Sequence, residues 1–151
     1  EGETHLPESI QKAFDNGRKV RDILKANIKA GRTAGDTFEL LNDRINAAGF
    51  KVMETFNEPT DDPENIDVII GCHSVGNLGH GIGPSIAWFN PERMKYTIQP
   101  TNLFSIELFA YTAIPEWGGK KLRVPLEDNA IVTERGVEWL YPVNNKVLLI
   151  R

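Results

Sequence analysis

The sequence predicts an α+β fold in which a hairpin of two helices packs on a curved antiparallel sheet. Two observations support this prediction: apolar residues recur at helical spacing in the first third of the chain, and short runs rich in Val, Ile and Leu follow in the rest. Helices followed by a series of strands are typical of the α+β class. The chain has 151 residues and no visible linker, so residues 1–151 are expected to form a single domain.

The first third of the chain is predicted to contain two helices. Apolar residues recur about every 3.6 positions across residues 10–30, and Gly31 is a suitable end for that helix. Thr33 and Asp36 resemble a capping box that opens a second helix across residues 33–48, and Gly49 would close it. These two segments predict the helical hairpin.

Strand-like patterns begin after Gly49. We predict strands in the segments 50–56, 67–75, 103–111, 122–133 and 147–150, and an acidic, proline-containing loop at 58–65. The glycines between residues 76 and 83 indicate a loop whose backbone can approach a ligand closely. A phosphate-binding loop is excluded, because the Gly-Lys-Ser/Thr ending is absent.

The composition argues against several classes of protein. The chain has 17 Lys and Arg against 21 Asp and Glu, a net charge of −4, which argues against a nucleic-acid partner. Its apolar runs are too short to cross a membrane. Cys72 is the single cysteine, which excludes an internal disulfide and suits a reducing compartment. A cytoplasmic location is therefore favoured, although the chain opens without Met and a secretion signal could have been lost with a preceding segment.

Glu107 and Glu127 each lie within a predicted apolar strand. Alternation turns Glu107 away from Ile106 and Leu108, and by the same rule Glu127 faces away from the apolar side of its own strand. A buried carboxylate is costly without a partner, and for either Glu alone a solvent-facing or salt-bridged position is an equally good explanation. Together with His80, which stands between two glycines, the two carboxylates favour a metal site, since His and carboxylates bind zinc, manganese, iron or cobalt.

Three segments resemble, in order and spacing, three successive blocks of the pita-bread metallopeptidases: Gly79-His-Gly-Ile-Gly83, Phe104-Ser-Ile-Glu107 and Glu127-Asp-Asn-Ala-Ile-Val-Thr133-Glu-Arg-Gly136. That family includes Xaa-Pro aminopeptidase, prolidase, methionine aminopeptidase and creatinase. The resemblance covers nearly the whole chain. It implies the second half of the pita-bread fold, which is the C-terminal part of the catalytic domain, with the N-terminal half absent.

The resemblance also implies a site. Such enzymes hold two divalent ions (Mn, Zn, Co or Fe) with two Asp, one His and two Glu, and His80, Glu107 and Glu127 match the His and both Glu. The implied activity is metal-dependent hydrolysis of peptides, of Xaa-Pro aminopeptidase or prolidase type, in which Glu107 relays a proton to the leaving amine. His73 is matched with a His that relatives carry just upstream of the glycine-rich segment, which implies a catalytic role. A strand-end His without such a role is the alternative.

Two differences from the family pattern bear on activity. The two Asp ligands of relatives precede the helical hairpin and match nothing here, and Ala87 stands where relatives carry a substrate-facing His. We therefore expect the isolated chain to bind metal weakly or not at all and to be inactive. Its expected partners are a peptide substrate, the N-terminal half of the domain and, through an apolar flank, a second copy of the chain. A catalytically inactive binding or regulatory module of the same fold is the alternative.

Overall fold

The computed structural model describes residues 4–77 and 79–149. Within them three α-helices and seven strands are present, and the strands join in one sheet, which confirms the α+β prediction. The helices are α1 (Glu8–Asn27), α2 (Ala34–Ala47) and α3 (Pro91–Met94). The strands are β1 (Lys51–Val52), β2 (Asp67–Ile70), β3 (Cys72–Gly76), β4 (Gly79–Ile86), β5 (Leu103–Ala113), β6 (Lys121–Thr133) and β7 (Gly136–Trp139).

Helices α1 and α2 form the predicted helical hairpin. Thr33 caps α2, because its hydroxyl accepts a hydrogen bond from the backbone N–H of Asp36 at 3.0 Å. Past the end of α2, Gly49 adopts a φ of +88°, and the N–H of Phe50 reaches the carbonyl of Ile45 at 3.2 Å. A residue with a Cβ is strained in this conformation, which explains why the helix stops at this glycine.

The sheet is built around β5 and β6, which pair antiparallel along the whole of β5. Both β2 and β3 pair antiparallel with the other edge of β5, and the N–H of Gly71 between them donates to the carbonyl of Glu107 at 3.0 Å. β4 pairs with β3 and β7 with β6, both antiparallel, whereas β1 lies parallel to β2. β2 and β3 therefore behave as one strand that is broken at Gly71.

The core lies between the helices and one face of the sheet. Phe104, Ile106 and Leu108 of β5 are fully buried on that face, and they belong to the same apolar cluster as Leu24 of α1 and Phe38 of α2. Burying a side chain of this kind stabilises the fold by about 1.5–3 kcal/mol. Because alternate residues of β5 point the other way, the opposite face is free to carry polar side chains.

A buried arginine holds the segment that follows β7. The guanidinium of Arg21 on α1 donates to the carboxylate of Asp128 at 3.0 Å, to the carbonyl of Asn144 at 3.0 Å and to the side chain of Asn145 at 2.8 Å. These bonds join α1, β6 and the last described residues. Residues 147–149 lie in no strand, which contradicts the predicted strand at 147–150; residue 150 lies outside the described residues.

Two further strand predictions were too long. The predicted strand 50–56 is reduced to the two residues of β1, and the predicted strand 67–75 divides at Gly71 into β2 and β3. No helix within residues 4–77 and 79–149 has both the length and the apolar character needed to cross a membrane.

The prediction of a glycine-rich loop was also wrong, because the segment forms the β3–β4 hairpin. A Cβ at Gly81 would lie 3.0 Å from the hydroxyl of Ser74 and 3.1 Å from its carbonyl oxygen, and a Cβ at Gly83 would lie 3.1 Å from the Cβ of Ser74. The glycines thus let β4 pack closely on β3. Among the glycines of the hairpin, Gly79 is the one with a positive φ, +97°.

Candidate metal centre

Strand pairing brings Glu107 and Glu127 together. The two residues are directly opposite each other in the antiparallel pair of β5 and β6. As alternation predicts, Ile106 and Leu108 are fully buried toward the helices, whereas Glu107 is half-buried and Glu127 is exposed on the other face. Directly opposite side chains in an antiparallel pair have Cβ atoms roughly 4.5–5.5 Å apart, so the two carboxylates are close neighbours.

His73 of β3 joins the two carboxylates. It pairs with Ser105 of β5, and its Nε2 lies 3.5 Å from the Oε2 of Glu107. One ligand atom from each of His73, Glu107 and Glu127 lies within 4.8 Å of the other two. Among the residues that the structure describes, this is the group of His, Cys, Asp or Glu side chains that could hold a metal ion.

The hydrogen bonding of His73 presents one ring nitrogen to the carboxylates. Nδ1 lies 3.0 Å from the backbone carbonyl of Ser74, and because a carbonyl can only accept, Nδ1 carries a proton. The buried Nε2 has no hydrogen-bond partner in the described part of the chain, since its 3.5 Å approach to Glu107 lacks hydrogen-bond geometry. The Glu107 carboxylate raises the pKa of His73 above its ordinary value, and burial of the ring opposes that rise.

This arrangement fits a divalent cation. Two ligand atoms that each lie about 2.1 Å from a tetrahedral ion are roughly 3.4 Å apart, close to the observed separation of His73 Nε2 and Glu107 Oε2. A neutral His whose Nδ1–H is held by a backbone carbonyl, with its Nε2 free, is a frequent arrangement around metal ions. The chemistry of one His and two carboxylates suits zinc, manganese, iron or cobalt.

Ser105 supports one of the carboxylates. Its hydroxyl donates to the Oε1 of Glu127 at 2.9 Å, and the residue is only 1% exposed. Such a bond fixes the orientation of a carboxylate and leaves its second oxygen free. The sequence does not single out Ser105 as a site residue, but alternation along β5 places it on the same face as Glu107.

His80 lies next to this group without belonging to it. Its ring centroid is 4.4 Å from that of His73, and its side chain is exposed on β4. The structure brings His73 together with the two Glu, and His80 does not belong to that group. The assignment of His80 as a ligand stays a prediction. The β3–β4 pair shifts register between His73 and Val75, and His80 pairs with Val75 beyond that shift.

Gly71 makes room for Glu107. A Cβ on this residue would lie 3.4 Å from the Oε2 of Glu107 and 3.5 Å from its carboxyl carbon. A larger side chain here would press against the carboxylate. The break between β2 and β3 is thus also a gap into which a site residue fits.

A cavity of about 360 Å³ opens beside the site. Arg93 lies on its wall and donates to the carbonyl of Gly81 at 2.6 Å. A larger cavity of about 550 Å³ is lined by α1 residues and contains none of the three ligand candidates. Ala87, which stands where the resemblance implies a substrate-facing His, is fully buried. The cavity beside the site is lined by Gly71, His73, His80, Ser85, Phe89, Asn90, Arg93 and Glu107.

Cys72 plays no part in the cation site. It is the first residue of β3, directly before His73, and is fully buried in the apolar core. Its thiol donates to the carbonyl of Glu107 at 3.4 Å. Burial raises the pKa of the Cys72 thiol to about 12, and a thiol that stays protonated is a poor nucleophile and metal ligand.

Solved structures share this fold. The X-Pro aminopeptidase from Thermotoga maritima matches with a TM-score of 0.64 at 16% identity, over 97% of this chain and 35% of that one. The prolidase from Pyrococcus horikoshii matches with a TM-score of 0.60 at 18% identity, over 95% and 35% of the two chains. The Xaa-Pro dipeptidase from Bacillus anthracis matches with a TM-score of 0.56 at 22% identity, over 93% and 33%. This chain thus spans about a third of the length of each.

Sequence comparison gives the family. No curated protein sequence matches the chain. The model of metallopeptidase family M24 matches residues 3–134, a range that includes the helical hairpin and every residue of the candidate metal centre. Because this match covers most of the sequence, the chain belongs to metallopeptidase family M24.

Proposed function

We propose that this chain is the metal-binding part of a peptidase that cleaves peptides with proline in the second position, of Xaa-Pro aminopeptidase or dipeptidase type. The convergence of His73, Glu107 and Glu127 carries the proposal, because it supplies a cation site within a metallopeptidase family. The names of the aminopeptidase, prolidase and dipeptidase that share the fold support the Xaa-Pro preference.

In this proposal His73, Glu107 and Glu127 hold the cation. A bound divalent ion supplies a nucleophilic water at neutral pH and polarises the scissile carbonyl. Ser105 keeps Glu127 oriented by donating to its Oε1. Glu107 lines the cavity and is half-buried, so its carboxylate can accept a proton and pass it to the leaving amine. Arg93 and Asn90 on the cavity wall offer donors to a peptide carbonyl.

His80 keeps a place in the proposal as an outer ligand. Its exposed ring lies against that of His73, at the mouth of the same cavity. The resemblance to the family implies that His80 is the ligand His, whereas the geometry favours His73. We propose His73 as the inner ligand and leave to His80 a contact with a second ion or with substrate.

We further propose that the isolated chain binds one ion weakly and does not turn over peptide. Three ligands are enough for a single ion, but the two-ion arrangement of the family needs two further carboxylates. The chain spans about a third of the relatives' length, so we propose that those carboxylates come from sequence preceding it in the parent protein.

Metal titration tests this function. Zinc added to the chain, followed by calorimetry, should give one site that is weakened at least about 100-fold by Glu107→Gln or Glu127→Gln, because each change removes a ligand. Glu39→Gln, the same change at an exposed position on α2, is the matched control and should bind as the unaltered chain does. Equal affinities in all four proteins would overturn the metal site.

A peptidase assay separates the enzyme from the inactive module. Ala87, fully buried where relatives carry a substrate-facing His, favours the module. The parent protein that includes this segment should hydrolyse Xaa-Pro dipeptides with zinc, manganese or cobalt, and Glu107→Gln should abolish hydrolysis. Tight metal binding without hydrolysis in the parent would favour the module.

A further inference from the structure

Three aromatic side chains pack together beside the cavity. Phe56 comes from the loop after β1, and Trp88 and Phe89 follow β4. The ring centroid of Phe56 lies 5.1 Å from that of Trp88 and 4.9 Å from that of Phe89. The centroids of Trp88 and Phe89 are 5.5 Å apart, in an edge-to-face arrangement. These are favourable separations for aromatic pairs. The three residues, called the aromatic cluster below, therefore form one packed unit built from two distant segments.

The aromatic cluster faces solvent although its base is anchored. Phe56 is 63% exposed and Phe89 is 43% exposed, whereas Trp88 packs against the apolar core. Two exposed rings held on a half-buried third ring give a fixed apolar surface. Contiguous exposed apolar surface is a common mark of a binding site.

The aromatic cluster is continuous with the candidate metal centre. Phe89 lines the cavity of about 360 Å³ that is also lined by His73 and Glu107. That volume lies within the range of small-molecule sites. A peptide whose amide reaches Glu107 and His73 therefore occupies a space that is bounded on another side by Phe89.

The sequence segment that contains Phe56 is acidic. Residues 54–64, the segment that contains Phe56, include five acidic residues and neither Lys nor Arg. The acidic residues are Glu54, Glu58, Asp61, Asp62 and Glu64, all exposed. A negative surface of this kind disfavours a carboxylate side chain next to Phe56.

We infer that the aromatic cluster is the subsite for an apolar side chain of the peptide, adjacent to the bond that is cleaved. This inference rests on the proposed function, because it takes the His73, Glu107 and Glu127 group as the place of the scissile amide. Phe89 and Phe56 supply the apolar contact and Trp88 holds them in place. They thereby make the site selective for peptides such as Leu-Pro over Gly-Pro and Asp-Pro.

Calorimetric titration of the zinc-saturated chain with Leu-Pro, Gly-Pro and Asp-Pro tests the inference. Leu-Pro should bind at least about tenfold more tightly than Gly-Pro, since an apolar side chain in an apolar pocket gains at least that factor, and Asp-Pro should bind most weakly. Phe89→Ala and Phe56→Ala should each lower the affinity for Leu-Pro more than the affinity for Gly-Pro, so that the two affinities become similar. Phe56→Ala keeps the test available if Phe89→Ala does not fold, because Phe56 is in an exposed loop.

The control is Trp117→Ala, since Trp117 is 49% exposed in the turn between β5 and β6 and does not line the cavity. It should leave all three affinities unchanged. If zinc binds but the three dipeptides are not distinguished, or the Phe variants change nothing, the inference is overturned and the metal site stands. If zinc does not bind, the proposed function fails and the inference fails with it. If sedimentation shows a dimer that Phe56→Ala dissociates, the aromatic cluster is an interface between copies and the inference is also overturned.

Discussion

The β5–β6 ribbon and the β3–β4 hairpin bring residues to the same site by different means. β5 pairs with β6 along all its 11 residues, so Glu107 and Glu127 are fixed opposite each other by uninterrupted backbone pairing. The β3–β4 pair shifts register between His73 and Val75, and its glycines pack on Ser74. Regular pairing therefore positions the carboxylates, whereas local backbone shape positions the histidines. We expect the ribbon to govern stability and the hairpin to govern which His meets the cation.

The largest expected effect is on the ribbon. Leu108 is fully buried on the helix-facing side of β5, so Leu108→Ala should lower the free energy of unfolding by about 2–5 kcal/mol. Leu103→Ala, on the same strand but 43% exposed, is the control. It should change the free energy of unfolding by no more than about 0.5 kcal/mol. Urea unfolding followed by circular dichroism measures both. Similar costs for the two variants would mean that the ribbon does not dominate stability.

The next effect distinguishes the two histidines of the hairpin. Loss of a residue that hydrogen-bonds to a metal ligand typically weakens metal binding roughly 10–100-fold. His73→Ala should weaken zinc binding by more than this, because it removes a ligand itself. His80→Ala should weaken it far less, since the His80 ring lies outside the group of converging ligand atoms. Calorimetry with zinc measures both affinities. A larger loss for His80→Ala would restore the ligand assignment implied by the family resemblance.

The same contrast explains how far the sequence could be read. In β5, alternation of Phe104, Ile106 and Leu108 with Ser105 and Glu107 is enough to assign the two faces, and the structure confirms that assignment. The helical hairpin could also be predicted, because the helical spacing of its apolar residues agrees with the capping signals at the helix ends. The helical hairpin and the strand faces on which both carboxylates lie could therefore be predicted from local pattern alone.

The hairpin could not be read in this way. Glycines at 76, 79, 81 and 83 leave few side chains whose alternation indicates a strand, and the register shift between His73 and Val75 has no signal in the local sequence pattern. The sequence therefore favoured His80 as the ligand, because it stands between two glycines. In the structure His73 pairs with Ser105, and its Nε2 approaches Glu107. The apolar residues 147–149 also do not pair in the sheet, and Val147 packs instead against the apolar cluster that contains Ala13 and Ile114.

A third prediction concerns the close approach of the hairpin strands. Gly81→Ala would place a Cβ 3.0 Å from the hydroxyl of Ser74 and 3.1 Å from its carbonyl, so it should cost about 1–3 kcal/mol of stability. It should also weaken zinc binding, because the Ser74 carbonyl holds Nδ1 of His73. Thermal unfolding and calorimetry measure the two effects. Unchanged stability would show that the hairpin strands are not packed as closely as described.

A fourth prediction returns to the ribbon. Ser105→Ala should lower zinc affinity by about tenfold, since the hydroxyl that orients Glu127 is lost. Ser105→Thr keeps a hydroxyl and should recover much of the affinity. Ser9→Ala, which removes a hydroxyl bonded to Glu116 on the surface, is the control. If Ser105→Ala and Ser105→Thr bind zinc equally, the hydroxyl does not position the carboxylate.

The smallest effect is the pH dependence of stability in the metal-free chain. Glu107 raises the pKa of His73 in the folded protein, so the protonated imidazole is favoured by folding. The resulting stabilisation is fully present below the ordinary histidine pKa of about 6.5 and is lost as the pH rises through the raised pKa of the folded state. With zinc bound, the pH dependence of stability reverses. The ion and the proton compete for Nε2, so the ion stabilises the fold more as the pH rises. Urea unfolding with chelator and with zinc, on both sides of that pKa, should show opposite slopes, and His73→Gln should flatten both. Parallel slopes would mean that His73 and the cation do not share this nitrogen.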